Sequence, residues 1–206
     1  MRLWDERILP HVIDKACGMD DVRPLRERAC SGLRGRVLEL GFGSGHNCDL
    51  YPADVSEVLA VEPSETAWKM SARRRSASSA PVSRIGLDGQ SLGLDDASVD
   101  SVLITFTLCT IPDVDAALRE VDRVLTPGGS VHIAEHGLSP DPKVAMWQRR
   151  IDPWQQRVFG GCHLTRDPVA LLSANGFGQI DVEKDYTPGP PPAKPWTFGY
   201  AGSATR

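Results

Sequence analysis

The chain has 206 residues, of which 41% are hydrophobic and 24% are charged, and its formal net charge is −4. This length and composition predict one globular domain with a substantial core. The weakly acidic charge without a basic stripe argues against a nucleic-acid partner, and no apolar run is long enough for a membrane span. Five scattered cysteines without a Cys-x-x-Cys pair argue against disulfides and zinc and indicate a reducing cytoplasm.

Residues 1–34 precede the first predicted strand and are expected to form a helical cap. A first helix has an incomplete apolar stripe, interrupted at Pro10, and is predicted to end at Gly18. A second helix is predicted from Val22 to Cys30. We expect these helices to cover the edge or mouth of a sheet, either as a structural extension or as a substrate lid.

A predicted buried strand, Arg36 to Leu40, leads into three glycines at alternate positions, Gly41, Gly43 and Gly45. Glycine permits positive φ angles and lets a ligand approach the backbone closely. A helix predicted to start near His46 would direct its free N–H groups at a negatively charged or acceptor group. The alternative is a strand-to-helix turn in which small residues serve packing alone.

The next predicted strand runs from Glu57 to Glu62 and so ends on a carboxylate, followed by Pro63. Ser64 is a suitable N-cap for a helix beginning at Glu65. A strand, glycine turn, helix and second strand ending in an acid form one nucleotide-binding half of a doubly wound sheet. Glu62 is therefore predicted to accept hydrogen bonds from ribose hydroxyls, the alternative being a solvated loop carboxylate.

A third predicted strand, Val82 to Ile85, precedes Asp88 and Gly89 at the same edge of the sheet. The Asp88 carboxylate could accept a hydrogen bond from an exocyclic amine, and the Gly89 N–H could donate to a ring nitrogen. Such a pair would recognise an adenine edge, although Asp-Gly is also a common turn.

The fourth strand is predicted at Val99 to Phe106, and the fifth at Ser130 to Ala134, which delivers Glu135 and His136 to the carboxyl edge. Between them, Asp113 to Leu125 has the strongest helical periodicity of the chain. Residues 137–165 then interrupt the alternation with aromatic residues. This insertion is predicted to be a lid over a substrate pocket or, from the helical spacing of its tryptophans, part of the core. Its apolar cluster comprises Trp147, Ile151, Trp154 and Phe159.

A helix from Asp167 to Asn175 and two strands, Gln179 to Tyr186 and Trp196 to Ala204, complete the chain. The predicted fold class is α/β, a Rossmann-like doubly wound, seven-stranded mixed sheet with helices on both faces. We predict one domain over residues 1–206, with a cofactor-binding core at 35–136, the insertion at 137–165, and a helix and strand pair at 166–206.

Several motifs resemble those of class I S-adenosylmethionine-dependent methyltransferases of the type 11 group, over about residues 36–136. These are the glycine motif Leu38–Gly45, the acid Glu62, the segment Asp88–Leu92 and the helix and turn Ala117–Gly129. The resemblance implies S-adenosylmethionine as cofactor and Thr105 as a neighbour of its methionine portion. The implied cofactor-binding residues are Glu39, Gly41, Gly43, Gly45, Asn47, Glu62, Pro63, Asp88, Gly89, Gln90 and Thr105.

A narrower resemblance, to the alkyl thiol methyltransferases of animals and their bacterial relatives, is carried mainly by Thr107–Ile111, Glu135-His136, Phe159–Arg166 and Gly199–Ala201. It implies S-methylation of a small-molecule thiol. The animal members begin with a hydrophobic membrane anchor, which this sequence lacks, so we expect no stable membrane insertion and a cytoplasmic location. The expected partner is the acceptor substrate, and the protein is expected to be a monomer or homodimer.

The acceptor side is less defined by sequence than the cofactor side. A thiol is partly ionised near neutrality and is intrinsically nucleophilic, so a general base is not required. His136 is the first candidate base and His163 the second, and each could instead have a structural role. Cys109 and Cys162 are interpreted as buried small residues.

Three other functions remain open at this point. One is C- or O-methylation of a quinone-like or aromatic compound, and another is a non-catalytic cofactor-binding subunit. An NAD-dependent oxidoreductase is disfavoured, because Asp88–Leu92 and the Pro127-Gly128-Gly129 turn do not suit one.

Overall fold

Seven strands form the sheet of the computed structural model, which describes residues 3–206. Five of them match the predicted parallel strands within a few residues, except that the fifth begins five residues before its predicted start. The strands are β1 (Gly35–Leu40), β2 (Val55–Val61), β3 (Val82–Gly86), β4 (Val99–Thr105), β5 (Leu125–His136), β6 (Gly178–Tyr186) and β7 (Phe198–Thr205).

The strand order is β3-β2-β1-β4-β5-β7-β6, and β7 runs antiparallel to both of its neighbours while the other paired strands are parallel. The predicted seven-stranded mixed sheet is therefore confirmed. The order reverses between β1 and β4, which is the switch point where doubly wound sheets bind ligands beyond their carboxyl ends.

Helices cover both faces of this sheet, with a π-helical turn at Trp4–Ile8 and 3₁₀ turns at Asp20–Val22 and Pro191–Ala193. The predicted N-terminal helices, and those beginning near Glu65, Asp113 and Asp167, are all present with shifted ends. The helices are α1 (Leu9–Cys17), α2 (Arg23–Cys30), α3 (Glu65–Met70), α4 (Ala72–Ser76), α5 (Val114–Val124), α6 (Pro142–Val158), α7 (Pro168–Ala174) and α8 (Lys194–Thr197).

Helix α5 shows why the periodic stretch of the sequence folds as it does. The Asp113 side chain caps it by accepting a hydrogen bond from the Ala116 N–H at 2.9 Å. Its apolar positions recur every three or four residues, so they form one stripe that packs on the sheet. All of the stripe is buried: Val114, Ala117, Leu118, Val121 and Val124.

The helix predicted near His46 is absent, because the segment between β1 and β2 consists of successive turns in the structure. Backbone bonds from Gly45 to Phe42 and from Cys48 to Gly45 close these turns. The segment, residues 41–54, contains three glycines, one asparagine, two aspartates and Pro52, all of which disfavour a helix. The glycine turn therefore presents its N–H groups without the help of a helix N-terminus.

Residues 137–165 form the single long helix α6 and its flanking loops. The interpretation of its tryptophans as core residues is wrong, since Trp147 and Trp154 are 50% and 57% exposed. Buried Gln148 anchors the helix instead, because its amide nitrogen donates to the carbonyl groups of Gly137 and Pro195, each at 2.9 Å. No helix within residues 3–206 has the length and apolarity to cross a membrane.

Candidate active site

A cleft of about 630 Å³ opens beyond the carboxyl ends of β1, β2 and β4. Its floor includes the glycine turn and the residues after β2, and one wall is the loop of residues 87–90. Helix α1 supplies part of a second wall through Leu9, Pro10, Ile13 and Asp14. The cleft thus lies at the ligand-binding edge of the sheet and has the volume of a small-molecule site.

The glycine turn depends on glycine for two physical reasons. Gly41, Gly43 and Gly45 have φ angles of +71°, +59° and +82°, which residues with a side chain rarely adopt. A Cβ atom on Gly41 would also lie 2.0 Å from the Thr107 Oγ1 atom. Gly41 and Gly43 line the cleft, so a bound molecule meets backbone there, whereas Gly45 is not among the lining residues found in the part of the chain described.

Glu62 follows β2, as predicted, and lines the cleft together with Pro63. Its Oε2 atom accepts a hydrogen bond from the Gly43 N–H, and its Oε1 atom accepts one from the Ser64 N–H, both at 2.6 Å. Burial raises the pKa of this carboxyl group, against the lowering effect of the two N–H donors. Each oxygen can accept a second hydrogen bond, so the carboxylate can still receive a hydroxyl group from the cleft.

Glu39, Asn47 and Thr105 form a buried hydrogen-bond network behind the glycine turn. The Asn47 amide donates to the Glu39 carboxylate at 2.9 Å and to the Thr105 hydroxyl at 3.0 Å. The Tyr51 hydroxyl donates to the second Glu39 oxygen at 2.5 Å. Burial raises the pKa of Glu39 to about 7. The structure thus brings these three predicted residues together as supports of the turn, and none of them is among the cleft-lining residues between positions 3 and 206.

Arg26 completes this network and was not identified from the sequence. Its guanidinium group donates to Asn47 at 2.9 Å and to Thr105 at 3.0 Å, and it lies 4.9 Å from the centre of the Phe106 ring. Arg26 is 79 residues from Thr105 in sequence, so no local pattern could have paired them.

The loop after β3 places Asp88, Gly89 and Gln90 in the cleft, as predicted. The exposed Asp88 carboxylate accepts hydrogen bonds from the Gln90 side chain and backbone, each at 2.9 Å, and these bonds lower its pKa. Gln90 in turn accepts from the Asp113 N–H at 2.9 Å, which ties the loop to the start of α5. The loop is thus held by hydrogen bonds within itself and to the start of α5, and its three residues line the cleft.

Asp14 on α1 connects the N-terminal cap to the glycine turn. Its Oδ1 atom accepts a hydrogen bond from the Ser44 hydroxyl at 2.6 Å and lies 3.0 Å from the Arg74 guanidinium and 2.9 Å from the His46 ring. Burial alone would raise the Asp14 pKa, but the bonds from Ser44 and Arg74 outweigh it and lower the pKa. The sequence placed a cap here without identifying this contact.

Neither histidine predicted as a base is among the lining residues of the cleft within positions 3–206. The His136 Nε2 atom lies 3.2 Å from the Cys162 sulfur, and its Nδ1 atom is buried with no hydrogen-bond partner in the described residues. His163 is partly exposed, and its Nδ1 atom lies 3.4 Å from the Asp152 carboxylate. Neither ring therefore contacts the cleft directly in the part of the chain that the structure describes.

Cys109 and Cys162 are buried, as predicted, but the sequence did not indicate that they are neighbours. A donor atom of His136 and the two sulfur atoms all lie within 4.8 Å of one another. Hydrogen bonds from Cys109 and His136 lower the pKa of the Cys162 thiol. Thr110 and Gly160, which are one and two residues away in sequence, line the cleft.

The fold and the cleft define an enzyme domain that binds a nucleotide-containing cofactor across the switch point of a doubly wound sheet. Residues 38–133 match the family profile described as "Methyltransferase domain". The chain is 33% identical to "Thiol S-methyltransferase TMT1B" of Homo sapiens over 175 residues, which are 81% of this chain and 69% of that protein. The chain belongs to the class I S-adenosylmethionine-dependent methyltransferases, and S-adenosylmethionine is its cofactor.

Two further comparisons agree with this assignment. "Thiol S-methyltransferase TMT1B" of Rattus norvegicus is 32% identical over 77% of this chain, a match that spans only 64% of the rat protein's own length. The crystal structure of a S-adenosylmethionine-dependent methyltransferase from Thermotoga maritima, described as a possible histamine N-methyltransferase, superimposes with a TM-score of 0.66. It covers 100% of this chain and 99% of that chain at 19% identity, so this likeness shows the fold alone.

Proposed function

We propose that this chain transfers the methyl group of S-adenosylmethionine to the sulfur of a small thiol. The observation that carries the proposal is the extent of the similarity to thiol S-methyltransferases. The methyltransferase profile covers only residues 38–133, whereas the alignment with the human relative extends over 81% of the chain. The similarity therefore extends to residues outside the matched methyltransferase profile.

The cleft offers a suitable group for each part of the cofactor. Glu62 would accept hydrogen bonds from the ribose hydroxyls, and Asp88, Gly89 and Gln90 would contact the adenine edge. The backbone at Gly41 and Gly43 would lie against the amino-acid portion, since these two residues line the cleft without a side chain. In this proposal, Glu39, Gly45, Asn47 and Thr105 support the turn from behind.

When bound, S-adenosylmethionine supplies a methyl group on a positively charged sulfur that a nucleophile can displace. Apolar residues lining the cleft, among them Leu9, Phe106, Ile111 and Phe159, would exclude water and hold the acceptor in line with this methyl group. A thiol has a pKa of about 8.5, so a few per cent is already thiolate near neutrality. Positioning is therefore the main contribution of the protein.

A proton acceptor would assist but is not required. His136 and His163 would have to act on the acceptor without touching it, since the cleft-lining residues within 3–206 do not include them. We therefore propose an indirect role for both histidines, through Cys162 and Asp152 respectively.

A panel assay tests the proposed function. Purified protein is incubated with S-adenosylmethionine and small alkyl thiols, phenols or quinols, and release of S-adenosylhomocysteine is measured. We expect release with thiols, none with phenols or quinols, and none above background for Glu62→Ala with thiols. Turnover confined to phenols or quinols would indicate C- or O-methylation. Cofactor binding without turnover on any acceptor would indicate a non-catalytic subunit.

A further inference from the structure

Three side chains with nitrogen or sulfur donor atoms, Cys109, His136 and Cys162, meet in the fold, and the two cysteines are near the cleft-lining residues Thr110 and Gly160 in sequence. Cys109 follows β4, His136 ends β5, and Cys162 follows α6, so three separate segments contribute. One donor atom from each side chain lies within 4.8 Å of the other two, and the Nε2–Sγ distance between His136 and Cys162 is 3.2 Å. Both cysteines are buried, at 3% and 8% exposure.

Backbone hydrogen bonds hold these segments in place. The His163 N–H donates to the Cys109 carbonyl at 2.8 Å, which joins the loop after β4 to the loop after α6. The Glu135 carboxylate accepts from the N–H groups of Thr107 and Leu108 at 2.7 and 3.0 Å, which fixes the first loop against the end of β5. The three donors are therefore arranged by the fold before any ligand binds.

We propose that Cys109, His136 and Cys162 bind a zinc-like divalent cation. Thiolate sulfur and imidazole nitrogen are the ligands that zinc prefers, and the three donor atoms all lie within 4.8 Å of one another, so a single ion could contact all of them. Binding displaces the thiol protons to solvent. The scattered cysteines argued against zinc in the sequence because the spacing along the chain does not show which residues the fold brings together.

The His136 ring favours a metal site over a thiol pair alone. A disulfide between Cys109 and Cys162 would need no third donor, yet the imidazole nitrogen lies against one of the two sulfur atoms. Gln155 also approaches Cys162, with its amide nitrogen 3.6 Å from the sulfur, but this amide donates and does not compete as a ligand.

Three protein ligands with a fourth position taken by a water or substrate form the pattern of catalytic zinc sites. Among the described residues the cluster supplies three donors, and the cleft-lining residues Thr110 and Gly160 lie beside it in sequence. In a second step, an acceptor thiol that passes between the lining residues Thr110 and Gly160 would complete the coordination, and the ion would deprotonate it and so supply a thiolate without a dedicated base. This second step rests on the proposed thiol methylation, whereas metal binding does not.

Cobalt(II) serves as a spectroscopic probe for the site. Reduced, metal-free protein is titrated with Co²⁺ while the thiolate-to-cobalt absorption is recorded. We expect one ion per chain, loss of the absorption in C109S and C162S, and at least tenfold weaker binding in H136Q. Cys30 is the matched control, because it is 1% exposed and packs in a hydrophobic cluster that contains neither Cys109 nor Cys162, and C30S should bind Co²⁺ normally.

The folded state of each variant is checked by thermal unfolding and by calorimetry with S-adenosylhomocysteine, which should bind with unchanged affinity. Two results would overturn the metal site. One is Co²⁺ binding that persists unchanged in both cysteine variants. The other is reduced wild-type protein that does not bind Co²⁺ while all five cysteines react with a thiol reagent after unfolding.

Addition of a small alkyl thiol to the cobalt protein tests the second step. We expect the cobalt spectrum to shift with the thiol and to remain unchanged with a phenol. Full thiol methylation after complete metal removal would overturn the second step and leave the proposed function intact. Normal metal binding with no methylation of any thiol would overturn the proposed function and leave the metal site intact.

Discussion

The carboxylate of Glu62 accepts the N–H of Gly43 at 2.6 Å, so the residue after β2 fixes the turn after β1. A single side chain thereby joins the two segments that the cofactor must bridge. Because the carboxylate is buried and receives a second N–H from Ser64, any replacement that offers a donor instead of an acceptor leaves a backbone N–H unpaired.

Glu62→Gln should therefore weaken the binding of S-adenosylhomocysteine by about 1–3 kcal/mol. The substituted amide has one acceptor oxygen for two backbone donors and accepts ribose hydroxyls less strongly than a carboxylate. Titration calorimetry measures the change. Glu57→Gln is the control, because Glu57 lies within β2 and forms a surface ion pair with Arg36, and it should leave the affinity unchanged. Wild-type affinity in Glu62→Gln would contradict the placement of the ribose.

Gly41→Ala should lower both stability and cofactor affinity. The added methyl group would meet Thr107 Oγ1, and an alanine at φ +71° carries a strain of about 1–3 kcal/mol. Chemical denaturation and calorimetry measure the two effects. Gly93→Ala is the matched control, since a Cβ at Gly93 has no neighbour within 4 Å among the described residues. Equal stability and equal cofactor affinity of the two variants would refute the close approach of Gly41, after β1, to Thr107, after β4.

Asp14→Ala should release α1 from the glycine turn. The variant leaves Ser44 and Arg74 without their shared acceptor, so α1 should open more often and become sensitive to limited proteolysis. We expect faster cleavage between residues 9 and 17 and a raised KM for the acceptor, with little change in global stability. Asp20→Ala, on the exposed turn just after α1, is the control, because Asp20 is not among the cleft-lining residues of the described chain. A cleavage pattern identical to wild type would show that Asp14 does not hold the helix.

The pH dependence of stability should include a contribution from Glu120. Hydrogen bonds from Arg123 lower the pKa of Glu120 to about 2, from an ordinary value of 4.5, so the folded state favours its charged form. The stabilisation is complete above about pH 4.5 and is lost as the pH falls towards 2. Glu120→Gln should cost about 1–2 kcal/mol at pH 7 and less at pH 3, because the Leu92 N–H and Arg123 lose a charged acceptor.

Urea denaturation at several pH values measures this difference. Glu27→Gln is the control, because Glu27 forms an ion pair with Arg23 in which both side chains are about half exposed, and such pairs contribute little. A constant difference between wild type and Glu120→Gln from pH 3 to pH 7 would contradict the interpretation.

The sheet could be predicted from the sequence because each strand and helix carries its own local pattern. Buried runs marked β1, β2 and β4, and apolar spacing marked α5, so the element order followed directly. The prediction of a helix at His46 was wrong, because the same glycine motifs occur in turns that lead into helices and in turns that do not. The interpretation of Trp147 and Trp154 as core residues was wrong, because helical spacing indicates a helix but does not show which face of that helix is covered.

The residues that line the cofactor side of the cleft were partly predictable, whereas the buried contacts that hold the glycine turn and helix α1 in place were not. Glu62, Asp88 and Gly89 follow strands directly, and topology alone brings such residues to one edge. The contacts of Arg26 and Asp14, and the proximity of Cys109 to Cys162, join segments that are distant in sequence, so no local pattern reveals them. The cytoplasmic location and the monomeric or homodimeric state stay predictions.

Helix α1 forms part of one wall of the cleft, and the hydrogen bond between Asp14 and Ser44 joins this helix to the glycine turn. A bound cofactor would be enclosed partly by a helix that is not part of the sheet, so its escape depends on how often that helix lifts. Release of the demethylated product would then require a movement of α1, a step separate from methyl transfer.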